Sequence, residues 1–157
     1  MKPNTAAEKY VVLVSAERPG MALETLGRAC RQMEAELDKR GFAYQQVMGK
    51  YKGKVETSFA VVVPSLDDAK WLVKLGRDFN QESILLLMPA GERTQRRKAL
   101  LVNLDPALEA DKLLSVEPIG TWEAVSEMEA RASEGFTYNP VTQTFYTVTQ
   151  RPIESRA

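Results

Sequence analysis

The sequence predicts an α+β fold: a ferredoxin-like βαββαβ core with an antiparallel sheet, followed by a C-terminal β-hairpin extension. Three observations carry that prediction. Four short apolar runs rich in β-branched residues lie in the first part of the chain. Two amphipathic segments of helical period separate the first run from the second and the third from the fourth. The resulting order of strand, helix, strand, strand, helix, strand is that of the split βαβ unit.

The elements follow in order. "YVVLVSA" (Tyr10 to Ala16) is a buried strand, broken by "ERPG". Leu26, Cys30, Met33 and Leu37 recur at spacings of four, three and four with charges between them, which predicts a helix closing at Gly41. "FAYQQVM" (Phe42 to Met48) is a strand, "GKYKGK" a turn or loose tip, and "ETSFAVVV" the next strand. "PSLDDAKWLVKLGRDF" is a second helix, with Ser65 as its cap and Asp67 and Asp68 in its first turn. "SILLLM" (Ser83 to Met88) is apolar on both faces, as a central strand would be. Beyond it, "GERTQRRK" reads as a polar loop, "ALLVNL" as a strand and "DPALEADKLL" as a short helix. "TWEAVSEMEARASE" reads as a helix or a loose connection, and "FTYNPVTQTFYTVT" as a hairpin around Asn139-Pro140. "QRPIESRA" is expected to fray. All 157 residues read as one domain, with a core over about 9–90 and an extension over about 91–150.

Composition narrows the chemistry. Acidic and basic residues balance at 21 each, so no net field favours nucleic acid or an anionic membrane. No apolar run is long enough to span a bilayer, and "MKPNTAAEKY" lacks the apolar core of a signal peptide, so a cytoplasmic location is expected. There is no histidine and a single cysteine, Cys30. That removes internal disulfides, the usual His/Cys zinc sites, the commonest general base and the Ser-His and Cys-His pairs. No acidic cluster suggests a magnesium site, and no cofactor is expected. Any catalysis must rest on carboxylates, tyrosine, lysine or the reactivity of the substrate itself.

Most conspicuous side chains have a plain reading. Cys30 lies on an apolar helix stripe and reads as a core thiol. Trp71 and Trp122 read as packing, the scattered methionines as core filler, and Arg93, Arg96, Arg97 and Lys98 as a solvated loop. Glu56 stands apart. It sits at the mouth of an apolar strand, beside Val55, Phe59 and Val61, with only Lys52 and Lys54 as local counter-charges. An edge acid facing water is the plain reading; a carboxylate awaiting a cationic ligand is the functional one.

Several stretches in order resemble one family. "YVVLVSAERPG" is similar to its opening strand and Ser-Ala turn. "AYQQVMGKYKGKVETSF" resembles its tyrosine-containing segment leading to a glutamate, and "NQESILLL" its fourth-strand entry. "GTWEAV" and "GFTYNPVTQTFYTV" resemble its closing segments. The family is that of the phage-encoded S-adenosylmethionine-degrading enzymes, first called hydrolases and now at least in part understood as lyases. No such motif falls between Gly91 and Pro118.

The resemblance implies a PII-like homotrimer with active sites at subunit interfaces. It implies cleavage of S-adenosylmethionine to 5'-methylthioadenosine and homoserine lactone, and a phage anti-restriction role in a host cytosol. Among site residues it implies Glu56 and Tyr44 as catalytic, with Tyr51 competing for the tyrosine's role. Ser15, Ala16, Tyr51, Ser58, Phe59, Gln81 and Ser83 are the substrate-binding candidates. Two alternatives stand beside the lyase. One is a hydrolase with Glu56 as general base toward water. The other is a non-catalytic, PII-like trimeric sensor that binds an adenine nucleotide and uses the lysine-rich "GKYKGK" tip.

Overall fold

The computed structural model describes residues 9–51, 53–90, 96–104 and 116–151. Its elements are β1 (Tyr10–Val14), α1 (Leu23–Arg40), β2 (Ala43–Tyr51), β3 (Lys54–Val63), α2 (Leu66–Asp78) and β4 (Ser83–Leu87). They continue with β5 (Arg97–Asn103), β6 (Val116–Val125), α3 (Glu127–Ala132), β7 (Gly135–Asn139) and β8 (Thr144–Thr149).

The strands close into one antiparallel barrel in the order β1-β3-β2-β7-β8-β6-β5-β4. The chain therefore does not form an open ferredoxin-like, PII-like sheet with a hairpin appended. Two pairings overturn that expectation. β4, an edge in an open sheet, pairs along its length with β5, from Ser83↔Asn103 to Leu87↔Ala99. The tip of β2 pairs with β7, from Met48↔Tyr138 to Tyr51↔Gly135. The stretch after residue 90 is no extension; it contributes four of the eight strands.

Each helix forms for a local reason. α1 buries Ala29, Met33 and Leu37 along one stripe and ends at Gly41, whose φ of 74° is the left-handed value of a helix C-cap. α2 starts at Ser65, whose hydroxyl accepts the Asp68 N–H at 3.2 Å. An eight-stranded barrel has room inside for side chains or one small ligand but not for a helix, so both helices lie outside it. They cover Val12, Val14, Phe59, Val61, Val63, Ile84 and Leu86. Residues of opposite parity, including Val11, Leu13, Leu85, Leu87, Ala99, Trp122 and Val148, point inward and cluster together.

Further corrections concern particular segments. "GKYKGK" is not merely a turn, since β2 runs to Tyr51 and β3 starts at Lys54. "TWEAV" belongs to β6, and only Glu127–Ala132 is helical. Glu123 on β6 looks like a solvated helical acid in sequence, yet it is buried between Arg96 (3.4 Å) and Arg151 (3.6 Å). Arg97 is no solvated loop residue either: its guanidinium donates to the carbonyls of Lys9 (2.6 Å) and Met88 (3.1 Å). At Gly120, φ is 138° and a Cβ would lie 2.5 Å from the Thr149 carbonyl, so only glycine lets β6 approach β8 there. The helix expected in "DPALEADKLL", Arg93, Lys52 and most of the tail lie outside the described residues.

Candidate functional site

β3 alternates. Phe59, Val61 and Val63 face the helices, so Glu56, Ser58, Ala60 and Val62 face inward. The register sets Leu13 between Ala60 and Leu85, and Val11 between Val62 and Leu87. Leu13, Ala60 and Leu85 are only half-buried and make an apolar floor. At one end of it the lining turns polar. Ser58 and Ser83 lie two residues beyond Ala60 and Leu85, and Ser15 two beyond Leu13. Glu56 stands one inward position further along β3, directly opposite Gly49 of β2.

The polar groups form one network. Ser58 Oγ donates to Glu56 Oε1 at 3.4 Å. Ser15 Oγ donates to the Thr57 carbonyl at 2.5 Å and accepts the Glu17 N–H at 2.9 Å. The Thr57 N–H donates to Glu17 Oε1 at 2.8 Å. Gln81, buried at the entry to β4, donates through Nε2 to the Glu17 carbonyl at 2.9 Å.

Desolvation pushes the Glu56 carboxyl above its ordinary value, and the nearby charges of Glu17 and, more weakly, Glu82 push the same way. The Ser15 and Ser58 hydroxyls oppose the rise. Glu56 is exposed at the barrel mouth, and solvent screens these charges. A carboxylate crowded by like charges is suited to receive a cation.

The expected site residues divide into two groups. Ser15, Glu56, Ser58 and Gln81 come together, with Ser83 exposed at the start of the neighbouring strand. Tyr51 shares the inward face with Glu56. Ala16 and Phe59 are fully buried in the outer core. Tyr44 points the same way, its ring edge-on to Phe59 at 5.7 Å and its hydroxyl donating to Asp38 Oδ1 at 3.1 Å. Burial and the Asp38 carboxylate raise its phenol. Glu17 is the member that sequence reasoning missed. It sits in "ERPG", where no role falls to its side chain in the sequence reading, and its partner is a backbone amide forty residues away.

Among the described residues no group of His, Cys, Asp and Glu is placed to hold a metal ion, and no helix is long and apolar enough to cross a membrane. No curated protein matches the chain. The family model described as the S-Adenosylmethionine lyase family matches residues 12–149. That span runs from the middle of β1 to the end of β8 and includes every site residue named above. The chain belongs to the S-adenosylmethionine lyase family.

Proposed function

We propose that this lyase converts S-adenosylmethionine to 5'-methylthioadenosine and L-homoserine lactone in one intramolecular step. The observation that carries the reading is Glu56, a carboxylate of raised proton affinity set beside two serines at the polar end of a half-buried apolar floor. Such a site offers a cationic group its counter-charge and an apolar moiety its cover.

The substrate supplies the reacting atoms. Its carboxylate oxygen attacks Cγ, the Cγ–S bond breaks, and the electron pair stays on sulfur as the neutral thioether. No proton moves and no water enters, so a chain without histidine is under no handicap. The protein's task is to fold the methionine chain so that carboxylate and Cγ meet. Positioning of this kind removes up to roughly 7–11 kcal/mol of barrier in well-oriented intramolecular reactions. A grip on the sulfonium alone would stabilise the ground state more than the transition state, in which that charge is disappearing. Glu56 therefore holds the α-ammonium, which keeps its charge throughout. Ser15, Ser58, Gln81 and Ser83 provide hydrogen bonds, and Tyr51 offers its ring to the sulfonium, a contact worth roughly 0.5–2 kcal/mol.

The assembly we propose is a homotrimer with sites at subunit interfaces. The exposed Tyr51 and Val55 at the β2–β3 tip supply apolar surface for a neighbour. Lowering S-adenosylmethionine in a host cytosol, in the anti-restriction manner of phage enzymes, is the corresponding role.

Turnover in heavy-oxygen water tests the chemistry. Unlabelled homoserine lactone at early times, before it opens, is expected. Homoserine labelled from the first time point would show that water is the nucleophile and that the enzyme is a hydrolase.

A further inference from the structure

β1 ends at Val14, but β3 extends past it toward Lys54. From Phe59 to Val63, β1 lies alongside β3. Thr57 has outrun that neighbour, and two side chains take its place. Ser15 Oγ donates to the Thr57 carbonyl, and Glu17 Oε1 accepts the Thr57 N–H. Glu17 is itself held at both of its backbone groups, its N–H by Ser15 Oγ and its carbonyl by Gln81 Nε2.

The N–H that Glu17 holds belongs to the peptide unit joining Glu56 to Thr57. Holding that plane constrains the backbone from which the Glu56 side chain projects. We propose that Glu17 is the positioning residue that aims Glu56 at the cationic substrate.

Plain edge satisfaction does not explain the choice of residue. A neutral glutamine or asparagine oxygen would accept the same bond. A glutamate instead places a like charge near Glu56, alongside Glu82, with only the Ser15 and Ser58 hydroxyls opposing. That arrangement is unfavourable in the empty site and is relieved when a cation enters.

The inference rests on the proposed role of Glu56, so its test carries an arm for each. In Glu17→Gln an oxygen still reaches the Thr57 N–H but the like charge beside Glu56 is lost, so kcat is expected within about threefold of the parent while KM rises. In Glu17→Ala the tether is gone, and kcat/KM is expected to fall on the order of 10²-fold, the scale of a misplaced reacting group. Glu17→Asp keeps the charge but shortens the reach, so kcat/KM falls at least about tenfold; this arm decides the matter if the alanine variant does not fold. A residue that merely closes the sheet edge would lower the melting temperature and leave kcat/KM of the folded protein unchanged. Parent-level kcat/KM in Glu17→Ala or Glu17→Asp overturns the inference. Glu56→Gln is measured alongside. Full activity in that variant removes the site itself, whereas an inactive Glu56→Gln beside a fully active Glu17→Ala removes only the role of Glu17.

Discussion

Tyr51 lies diagonally across the β2–β3 hairpin from Glu56 on the same face. The register pairs Gly49 with Glu56 and Tyr51 with Lys54. Diagonal neighbours of this kind are about 7–8 Å apart and within reach of an aromatic side chain. Tyr44, paired with Val61, falls on the opposite face. Tyr44→Phe is therefore expected to leave kcat and KM unchanged and to cost only its hydrogen bond with Asp38. Tyr51→Ala is expected to raise KM by about threefold to thirtyfold, the equivalent of a cation–π contact. Steady-state kinetics on the two variants separate them, and the reverse pattern would assign the role to Tyr44.

Glu56 gives a prediction about pH. Its folded-state proton affinity lies above the ordinary glutamate value of about 4.3. The acid limb of kcat/KM should accordingly fall at a higher pH than for an unperturbed carboxylate, and Glu56→Gln should abolish the limb with most of the activity. Stability runs the other way. Ionising Glu56 costs the free protein stability above its folded pKa, and the cost disappears as pH falls through that value toward the unfolded one. Glu56→Gln should thus melt slightly higher than the parent at neutral pH, with the gap closing in acid. A gap that widens in acid would contradict the assignment.

Gly49 faces Glu56 without a side chain. A Cβ there would meet nothing closer than the Glu56 carbonyl at 3.7 Å, so alanine fits the backbone. Gly49→Ala should leave the melting temperature within about 2 °C of the parent, as surface changes do. Gly49→Leu fills the space beside the carboxylate and should raise KM while the protein stays folded. An unchanged KM would place the substrate elsewhere.

Outside the barrel, Gly76 of α2 packs closely against Ile84 of β4 and Leu104. A Cβ would lie 2.9 Å from Leu104 Cδ1 and 3.1 Å from Ile84 Cγ2. Gly76→Leu overpacks this contact and should cost about 1–3 kcal/mol in denaturant unfolding. Phe59→Ala, at a fully buried residue, should cost about 3–5 kcal/mol. Both effects should appear in the unfolding midpoint.

The helices and the first four strands are legible because their signals are local. The stripe through Met33 and Leu37 and the alternation through Phe59, Val61 and Val63 need only neighbours in sequence. Barrel closure is not local. It depends on Met48 meeting Tyr138 and Leu87 meeting Ala99, and neither segment announces its partner. β6 was hidden because buried Glu123 resembles a solvated acid until Arg96 and Arg151 are seen around it. At the site, Glu56 stands out as a misfit in an apolar run. Which of Tyr44 and Tyr51 shares the face of Glu56 is set by the register of the hairpin, and the contact of Glu17 with Thr57 is set by the fold, since a backbone amide carries no sequence signature.

The strand that steadies the Glu56 hairpin from its far side, β7, is followed among the described elements by β8 alone. A nascent chain still short of Gly135 leaves that hairpin without its β7 neighbour. Catalytic competence should therefore wait until Gly135–Asn139 has been made.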